Sequence, residues 1–225
     1  MIRFLILRSI GNFLVLFALF GVGMTFGPAV YEEIKFRFHT AQGVHYVVAT
    51  EKQQQVYTNG QLGDILLNAN EKILVAPDPV FSIIIPKIGA AAKIIPNVDS
   101  TNQREYITYL QQGVAHAKGS VFPGLIGTTY LFAHSTDNFW NVGRYNAVFY
   151  LLKDLAIHDD IYLFFQDHRY NYKVDRIEII DPDEVSLLTQ AQESGEQLVL
   201  QTCWPPGTTW KRLIVIAKPS LSTKN

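Results

Sequence analysis

The chain has 225 residues, with 19 Lys and Arg against 20 Asp and Glu. This balance excludes a strongly basic nucleic-acid-binding surface, and a hydrophobic content of 48% excludes global disorder. The single cysteine excludes a disulfide framework, an iron–sulfur cluster and an all-cysteine zinc site. The role of this one thiol is therefore a central question.

The N-terminal segment has the pattern of a membrane-spanning helix. No charged residue lies between Arg8 and Glu32, and the apolar run 10–30 would form about 31 Å of helix, close to the thickness of a hydrocarbon core. A cleaved signal peptide and a buried helix are the alternatives, but the run is longer than the apolar region of a signal peptide and no Ala-x-Ala site follows it. We therefore predict a membrane anchor within residues 1–30. Basic residues flank both of its ends, so charge alone leaves its orientation open.

A change in composition at Pro-Asp-Pro, residues 77–79, marks the predicted domain boundary. Residues 31–77 are predicted as a juxtamembrane stalk, and residues 78–225 as the globular domain. Short β-rich segments, broken by Gly and Pro, are predicted at 81–85, 128–133, 161–165, 170–180, 197–202 and 213–217. Two short helices are predicted at 102–112 and 146–155. Many short strands with few helices favour a mostly β fold, in the form of a closed or nearly closed β-barrel.

Cys203 lies where a predicted strand gives way to a loop. A strand end holds a side chain rigidly while the loop opens one side to solvent, which suits a nucleophile. The alternative is an ordinary buried cysteine, because free cysteine is among the most buried residue types.

A nucleophilic cysteine needs a neighbour that favours its thiolate, usually a histidine. Among the six histidines, His116 and His134 remain as candidates, and the strand-to-loop position of His134 favours it over His116. Arg212 opens the strand at 213–217. A hairpin would bring it beside Cys203, where a guanidinium can hold an oxyanion. A hydrogen-bonded histidine at a barrel rim and a surface arginine are the alternatives.

Taken together, these motifs resemble those of the sortase family. Val-Leu-Gln-Thr-Cys at 199–203, followed by Arg212, is similar to the family signature Thr-Leu-x-Thr-Cys with an arginine on the next strand, although Val199 stands where the signature has threonine. Leu-Phe-Ala-His-Ser at 131–135 resembles the family's histidine motif. The likeness extends in order over about residues 81–218.

The resemblance implies a sortase-like closed eight-stranded β-barrel, outside the bacterial cytoplasmic membrane and anchored by one transmembrane helix. It implies a cysteine transpeptidase that cleaves an LPXTG-like sorting signal and passes the acyl group to an amine. By matching position, Cys203 is the nucleophile, His134 the general acid and base, and Arg212 the stabiliser of substrate and oxyanion. The implied partners are surface proteins with a C-terminal sorting signal, a peptidoglycan precursor or protein lysine as the amine acceptor, and the lipid bilayer, but no nucleic acid.

Thr202 and Trp204 are further candidates for contact with substrate. An apolar loop containing Trp204 would shield a thioester from water, and barrel packing is the alternative for this residue. We expect no cofactor and no metal site, since no carboxylate spacing supports calcium binding, and calcium activation stays open. L,D-transpeptidases and NlpC/P60 peptidases are disfavoured because their motifs do not occur. A catalytically inactive, membrane-tethered β-barrel binding module is the alternative function.

Overall fold

The computed structural model describes residues 2–50, 71–135, 148–184, 195–206 and 208–220. In chain order, the helices and strands of these ranges are α1 (Ile2–Ala41), β1 (His45–Val48), β2 (Glu71–Leu74), β3 (Phe81–Ile85), β4 (Ala90–Val98), α2 (Gln103–Leu110), β5 (Val114–Ala117), β6 (Gly127–Phe132), β7 (Asp160–Phe165), β8 (His168–Ile180), β9 (Glu196–Trp204) and β10 (Lys211–Pro219). Short 3₁₀ helices at Pro86–Ile88 and Tyr150–Asp154 precede β4 and β7.

The N-terminal apolar segment is part of the long helix α1. Within it, Arg3–Met24 has a mean hydropathy of 2.1 and packs against no other part of the described protein. It is the single helix in the described ranges that is long and apolar enough to cross a membrane. The predicted N-terminal helix is therefore present, with a composition suited to a membrane anchor.

Helix α1 continues through the first part of the predicted stalk, 31–77. Neither Gly nor Pro interrupts residues 31–41, and Arg37 pairs with Glu33 one turn away at 2.6 Å, so the sequence favours continued helix. The stalk therefore begins as a helix, and β1 and β2 form a small parallel sheet farther along it. The polar stretch that occupies part of residues 51–70 lies outside the described residues.

Strands β3 to β10 close into a barrel in the order β10, β8, β7, β3, β4, β5, β6 and β9, and β9 pairs again with β10. The pairs β4–β5 and β6–β9 are parallel, and the others are antiparallel. A parallel pair needs a crossover connection, which α2 provides between β4 and β5. The prediction of a mostly β fold, with a closed eight-stranded barrel, short helices and an N-terminal apolar helix, is confirmed.

Alternating side chains divide the core into two apolar clusters. On β9, Leu198 and Leu200 belong to the larger cluster inside the barrel, whereas Val199 points outward. The outward cluster also contains Phe132 of β6 and Ile214 of β10. Tyr106 of α2 packs against it, so one end of this outer surface is covered by a helix.

The predicted helix at 146–155 is shorter in the structure. Residues 146–147 lie outside the described ranges, and the ordered turn is the 3₁₀ helix Tyr150–Asp154. Adjacent Leu151 and Leu152 both enter the interior cluster. The apolar residues that suggested an α-helix therefore serve as core packing for the barrel.

The last turns of α1 dock onto the barrel. Phe36 packs against the interior cluster, and Glu33 Oε2 lies 2.8 Å from Lys153 Nζ. The hydrogen bond from Lys153 lowers the pKa of Glu33, so the pair stays ionised at neutral pH. Tyr46 lies against Gly89, whose φ of +63° and missing Cβ permit this approach, since a Cβ would sit 2.7 Å from the ring. Gly89 lies at the barrel end toward which β3, β6 and β9 all run.

Candidate active site

Cys203 and Arg212 face each other across the β9–β10 pair. The antiparallel register makes them direct partners, so their side chains project from the same face of the sheet. Val199 and Ile214 occupy that face at even spacing from them and belong to the outward cluster. Both Cys203 and Arg212 are half-buried, because they lie beyond the part of the face that the outward cluster covers. The hairpin predicted from the sequence therefore brings these two residues together.

His134 lies at the same position along the barrel as Cys203, on the side of β9 opposite to Arg212. Strands β6 and β9 are parallel, with residues 69 positions apart lying side by side, and His134 and Cys203 keep this spacing. The register persists beyond the end of β6, since Ala133 N–H donates to the Gln201 carbonyl at 3.1 Å. His134 is half-buried, as is Cys203. Strand β9, which carries Cys203, consequently lies between the continuation of β6, which carries His134, and β10, which carries Arg212.

Three successive rows of outward-facing side chains cross β6, β9 and β10. From the barrel middle to its end, they are Tyr130, Val199 and Ile216; then Phe132, Gln201 and Ile214; then His134, Cys203 and Arg212. We call the last of these the site row. The first two rows are mostly apolar and largely buried, whereas the site row is half-exposed. A ligand at the open end of this face would therefore meet a thiol, an imidazole and a guanidinium, with the half-buried Gln201 next to them.

The backbone of the β9–β10 loop holds the Arg212 guanidinium. Its Nη1 donates to the carbonyls of Thr209 and Lys211, both at 3.1 Å. Burial raises the pKa of Tyr130 to about 12, and the positive charge of Arg212 opposes this rise, which indicates that the guanidinium is close to the outer face. Two donated bonds leave further N–H groups of the five-donor guanidinium for a ligand.

Thr202 and Trp204 point away from the site row. Thr202 is 3% exposed, and its hydroxyl donates to the Ala133 carbonyl at 3.1 Å, which ties β9 to the segment before His134. Trp204 packs against the interior cluster. In this structure neither side chain opens onto the face of Cys203, since residues 202 and 204 alternate with it along β9.

His116, the second candidate histidine, lies on β5 and is fully buried. Its Nδ1 accepts a hydrogen bond from Asn97 N–H at 3.3 Å, so the ring proton is on Nε2, which donates to the Val121 carbonyl at 3.1 Å. Phe122 stacks on the ring with centroids 4.7 Å apart. The geometry thus separates the two histidines, with His116 in packing and His134 in the site row.

The burial of His116 predicts an acid-sensitive fold. Burial lowers its pKa below the ordinary 6.5, so the unfolded chain binds a proton there more readily than the folded protein. The contribution of His116 to stability is therefore constant well above pH 6.5 and falls as the pH drops through and below 6.5, with a slope of up to ~1.4 kcal/mol per pH unit. Urea unfolding of the detergent-solubilised chain between pH 7.5 and pH 5 measures the slope.

His116→Gln keeps an Nε2 donor but does not titrate, and it is expected to flatten this slope. His168→Gln is the matched control, because His168 is exposed on β8. A His116→Gln protein with the full wild-type slope would contradict the assignment.

Gln201 and Tyr130 line the same outer face, although no motif in the sequence points to either of them as a site residue. Gln201 is two residues before Cys203, so the alternation of strand residues is a signal that could have identified it. Tyr130 donates its hydroxyl hydrogen to Gln201 Oε1 across a separation of 71 residues, and no local pattern predicts that bond. In the described parts of the chain, no group of three or more His, Cys, Asp or Glu residues is arranged to hold a metal ion.

Comparison with known proteins identifies the family. The family model of the sortase domain matches residues 83–220, which include the whole site row and more than half of the chain. Sortase D of Bacillus subtilis (strain 168) is 29% identical over 137 residues. This match covers 60% of the present chain and 60% of that relative, so it spans less than two thirds of the relative's length.

Solved structures show the same barrel. Sortase C1 of GBS pilus island 1 superposes with a TM-score of 0.54 at 25% identity, covering 64% of this chain and 66% of that one. Sortase A from Corynebacterium diphtheriae gives a TM-score of 0.53 at 28% identity, with 67% and 65% covered. From the matched family model, the shared barrel and the order of the motifs along it, this chain belongs to the sortase family.

Proposed function

We propose that this protein is a membrane-anchored cysteine transpeptidase. It cleaves an LPXTG-like sorting signal through a thioester on Cys203 and transfers the acyl group to an amine, thereby attaching proteins to the cell surface. The observation that carries the proposal is the site row, in which the register sets Cys203 between His134 and Arg212. Membership of the sortase family supports the reaction class. The apolar helix Arg3–Met24 supports anchoring in the bacterial cytoplasmic membrane. The proposed position of the barrel on the extracytoplasmic side follows from membership of the family.

In the proposed acylation, the Cys203 thiolate pairs with the His134 imidazolium and attacks the scissile carbonyl carbon. The carbonyl electron pair moves onto oxygen, and Arg212 stabilises the resulting oxyanion. The carbon–nitrogen bond then breaks, and His134 gives its proton to the leaving amine. The products are a thioester on Cys203, a neutral imidazole and the released C-terminal part of the signal.

In the second half, an incoming amine attacks the thioester carbonyl and the carbon–sulfur bond breaks. The neutral His134 takes the proton that the amine loses, which restores the imidazolium–thiolate pair. The proposed acceptor is a peptidoglycan precursor or a protein lysine, and the proposed donor is a surface protein with a C-terminal sorting signal. Both half-reactions use the same three side chains, in line with microscopic reversibility.

Intact-mass spectrometry tests the proposal directly. The full chain in detergent is incubated with a pool of LPXTG-like peptides, first alone and then with an added amine such as triglycine. We expect a mass increase equal to the acyl part of one peptide, mapped by proteolysis to Cys203 and discharged by the amine.

Cys203→Ala serves as the control and should show no adduct. A wild-type chain that forms no adduct with any peptide, and whose thiol reacts with iodoacetamide only after unfolding, would instead support the inactive binding module.

A further inference from the structure

Gln201 occupies the centre of the outer face, one row before the site row. It lies between Phe132 on β6 and Ile214 on β10, and it projects from the same face as Cys203. Its side chain is half-buried, while Phe132 and Ile214 are largely buried. A primary amide is thus set into an apolar floor beside the proposed nucleophile.

Tyr130 fixes which end of this amide faces the ligand. Its hydroxyl donates a hydrogen bond to Gln201 Oε1. Tyr130 is 8% exposed, and burial raises the pKa of its phenol to about 12, so the hydroxyl keeps the hydrogen that it donates. The amide oxygen is therefore occupied, and the Nε2 group is left as the end that can meet a ligand. Within the described ranges, Nε2 makes no hydrogen bond to the protein.

The distance between Gln201 and Cys203 along β9 indicates which part of a bound peptide would lie over Gln201. Residues two apart on a strand are separated by roughly 7 Å, which is also the distance between alternate residues of an extended peptide. A peptide with its scissile carbonyl at Cys203, laid along β9, would place a residue about two positions away over Gln201. In an apolar surrounding, an amide donor left unpaired costs more than it does in water, so the residue at that position affects binding.

We infer that Gln201 is a specificity-determining residue, which selects a donor peptide bearing a side-chain hydrogen-bond acceptor about two residues from the scissile bond. The inference rests on the proposed function and adds to it a preference within the sorting signal. The acceptor class comprises side-chain carbonyl and carboxylate oxygens, because Nε2 only donates. Tyr130 is the positioning residue that keeps the amide in this orientation.

Peptide sets of similar side-chain length test the inference. Each position within three residues of the scissile bond carries in turn Gln, Glu, Met or Lys, and the full chain in detergent is assayed for kcat/KM of acyl-enzyme formation. At one position, we expect the wild-type protein to prefer Gln and Glu over Met by about tenfold, the size expected for one hydrogen bond to a desolvated partner.

Two substitutions at Gln201 test the role of its amide donor, one by removing the donor and the other by replacing it with an acceptor. Gln201→Met keeps the length but removes the donor, and it should abolish the preference at that position while retaining acylation of the Met peptide. Gln201→Glu keeps the shape but only accepts, and it should favour Lys at the same position. Tyr130→Phe should reduce the preference by several-fold, because the amide is then able to turn. Gln112→Met, at an exposed glutamine after α2, is the matched control.

The outcomes separate the two proposals. Equal peptide selectivity in the wild-type, Gln201→Met and Gln201→Glu proteins, with acylation intact, would overturn the role of Gln201 and leave the proposed function standing. A wild-type chain that is not acylated by any peptide would overturn both. Far-ultraviolet circular dichroism checks that each variant is folded.

Discussion

Replacing His134 with alanine is expected to lower kcat for peptide transfer by about 10³-fold, within the range found for general acid–base groups. In the proposed mechanism, Cys203 would stay in place but lose both the cation that pairs with its thiolate and the acid that protonates the leaving amine. Because His134 is half-buried at the open end of the site row, small bases can reach the space that it leaves. Added imidazole should therefore restore part of the rate, as followed by release of a fluorescent peptide fragment.

Thiol chemistry provides a second readout for His134. The rate of Cys203 alkylation by iodoacetamide is measured from pH 5 to pH 9. Relative to the wild type, His134→Ala should show the largest decrease in this rate at pH 6–7. His168→Ala, at an exposed histidine near the other barrel end, is the control and should behave like the wild type. An unchanged alkylation profile in His134→Ala, together with unchanged kcat, would remove His134 from the mechanism.

Arg212→Ala is expected to reduce kcat/KM for acylation by about 10²- to 10³-fold, the loss typical of removing one oxyanion donor. The kcat/KM of Arg212→Lys should be less than tenfold higher than that of Arg212→Ala. A guanidinium can bond the carbonyls of Thr209 and Lys211 and still present N–H groups to the substrate, whereas an ammonium lacks the planar fork that does both. Stopped-flow or quenched measurement of acyl-enzyme formation gives the rate.

Lys211→Ala supplies the matched control for Arg212. Lys211 precedes Arg212 on β10, points to the opposite face and pairs with Asp181 at 2.7 Å on the protein surface. Its loss should change kcat/KM less than twofold, since an exposed ion pair contributes little. An Arg212→Ala protein that stays within threefold of the wild type would show that the oxyanion is held by other groups.

The strands that carry the site were predictable because their residues follow a regular pattern. The run that precedes Cys203 and the run that follows Arg212 are rich in branched apolar residues, and the short loop between them favours a hairpin. Strands β4 and β5 were not predicted. Strand β4 contains three alanines and Pro96, which disfavour a strand locally, and β5 is only four residues long. Pairing within the barrel compensates for these weak local preferences.

The meeting of His134 with Cys203 depends on a long-range strand pair. Position in the sequence favoured His134 over His116 but left both open, because each lies near the end of an ordered segment. What separates them is the parallel β6–β9 register, which joins residues 69 positions apart. Hydrophobic periodicity reports the face on which a residue lies but not the strand beside it, so this register required the structure.

The docking of α1 onto the barrel has a consequence for the reach of the proposed transpeptidase. With Arg3–Met24 across a bilayer, as proposed, Phe36 lies roughly 18 Å farther along the helix. Its contact with the barrel core, together with the Glu33–Lys153 pair, joins the barrel to the end of this helix. A polypeptide anchored in the same bilayer would need roughly five extended residues to span that distance from the membrane. For the proposed transpeptidase, the number of residues between a substrate's own membrane anchor and its scissile bond would then limit which proteins can be cleaved.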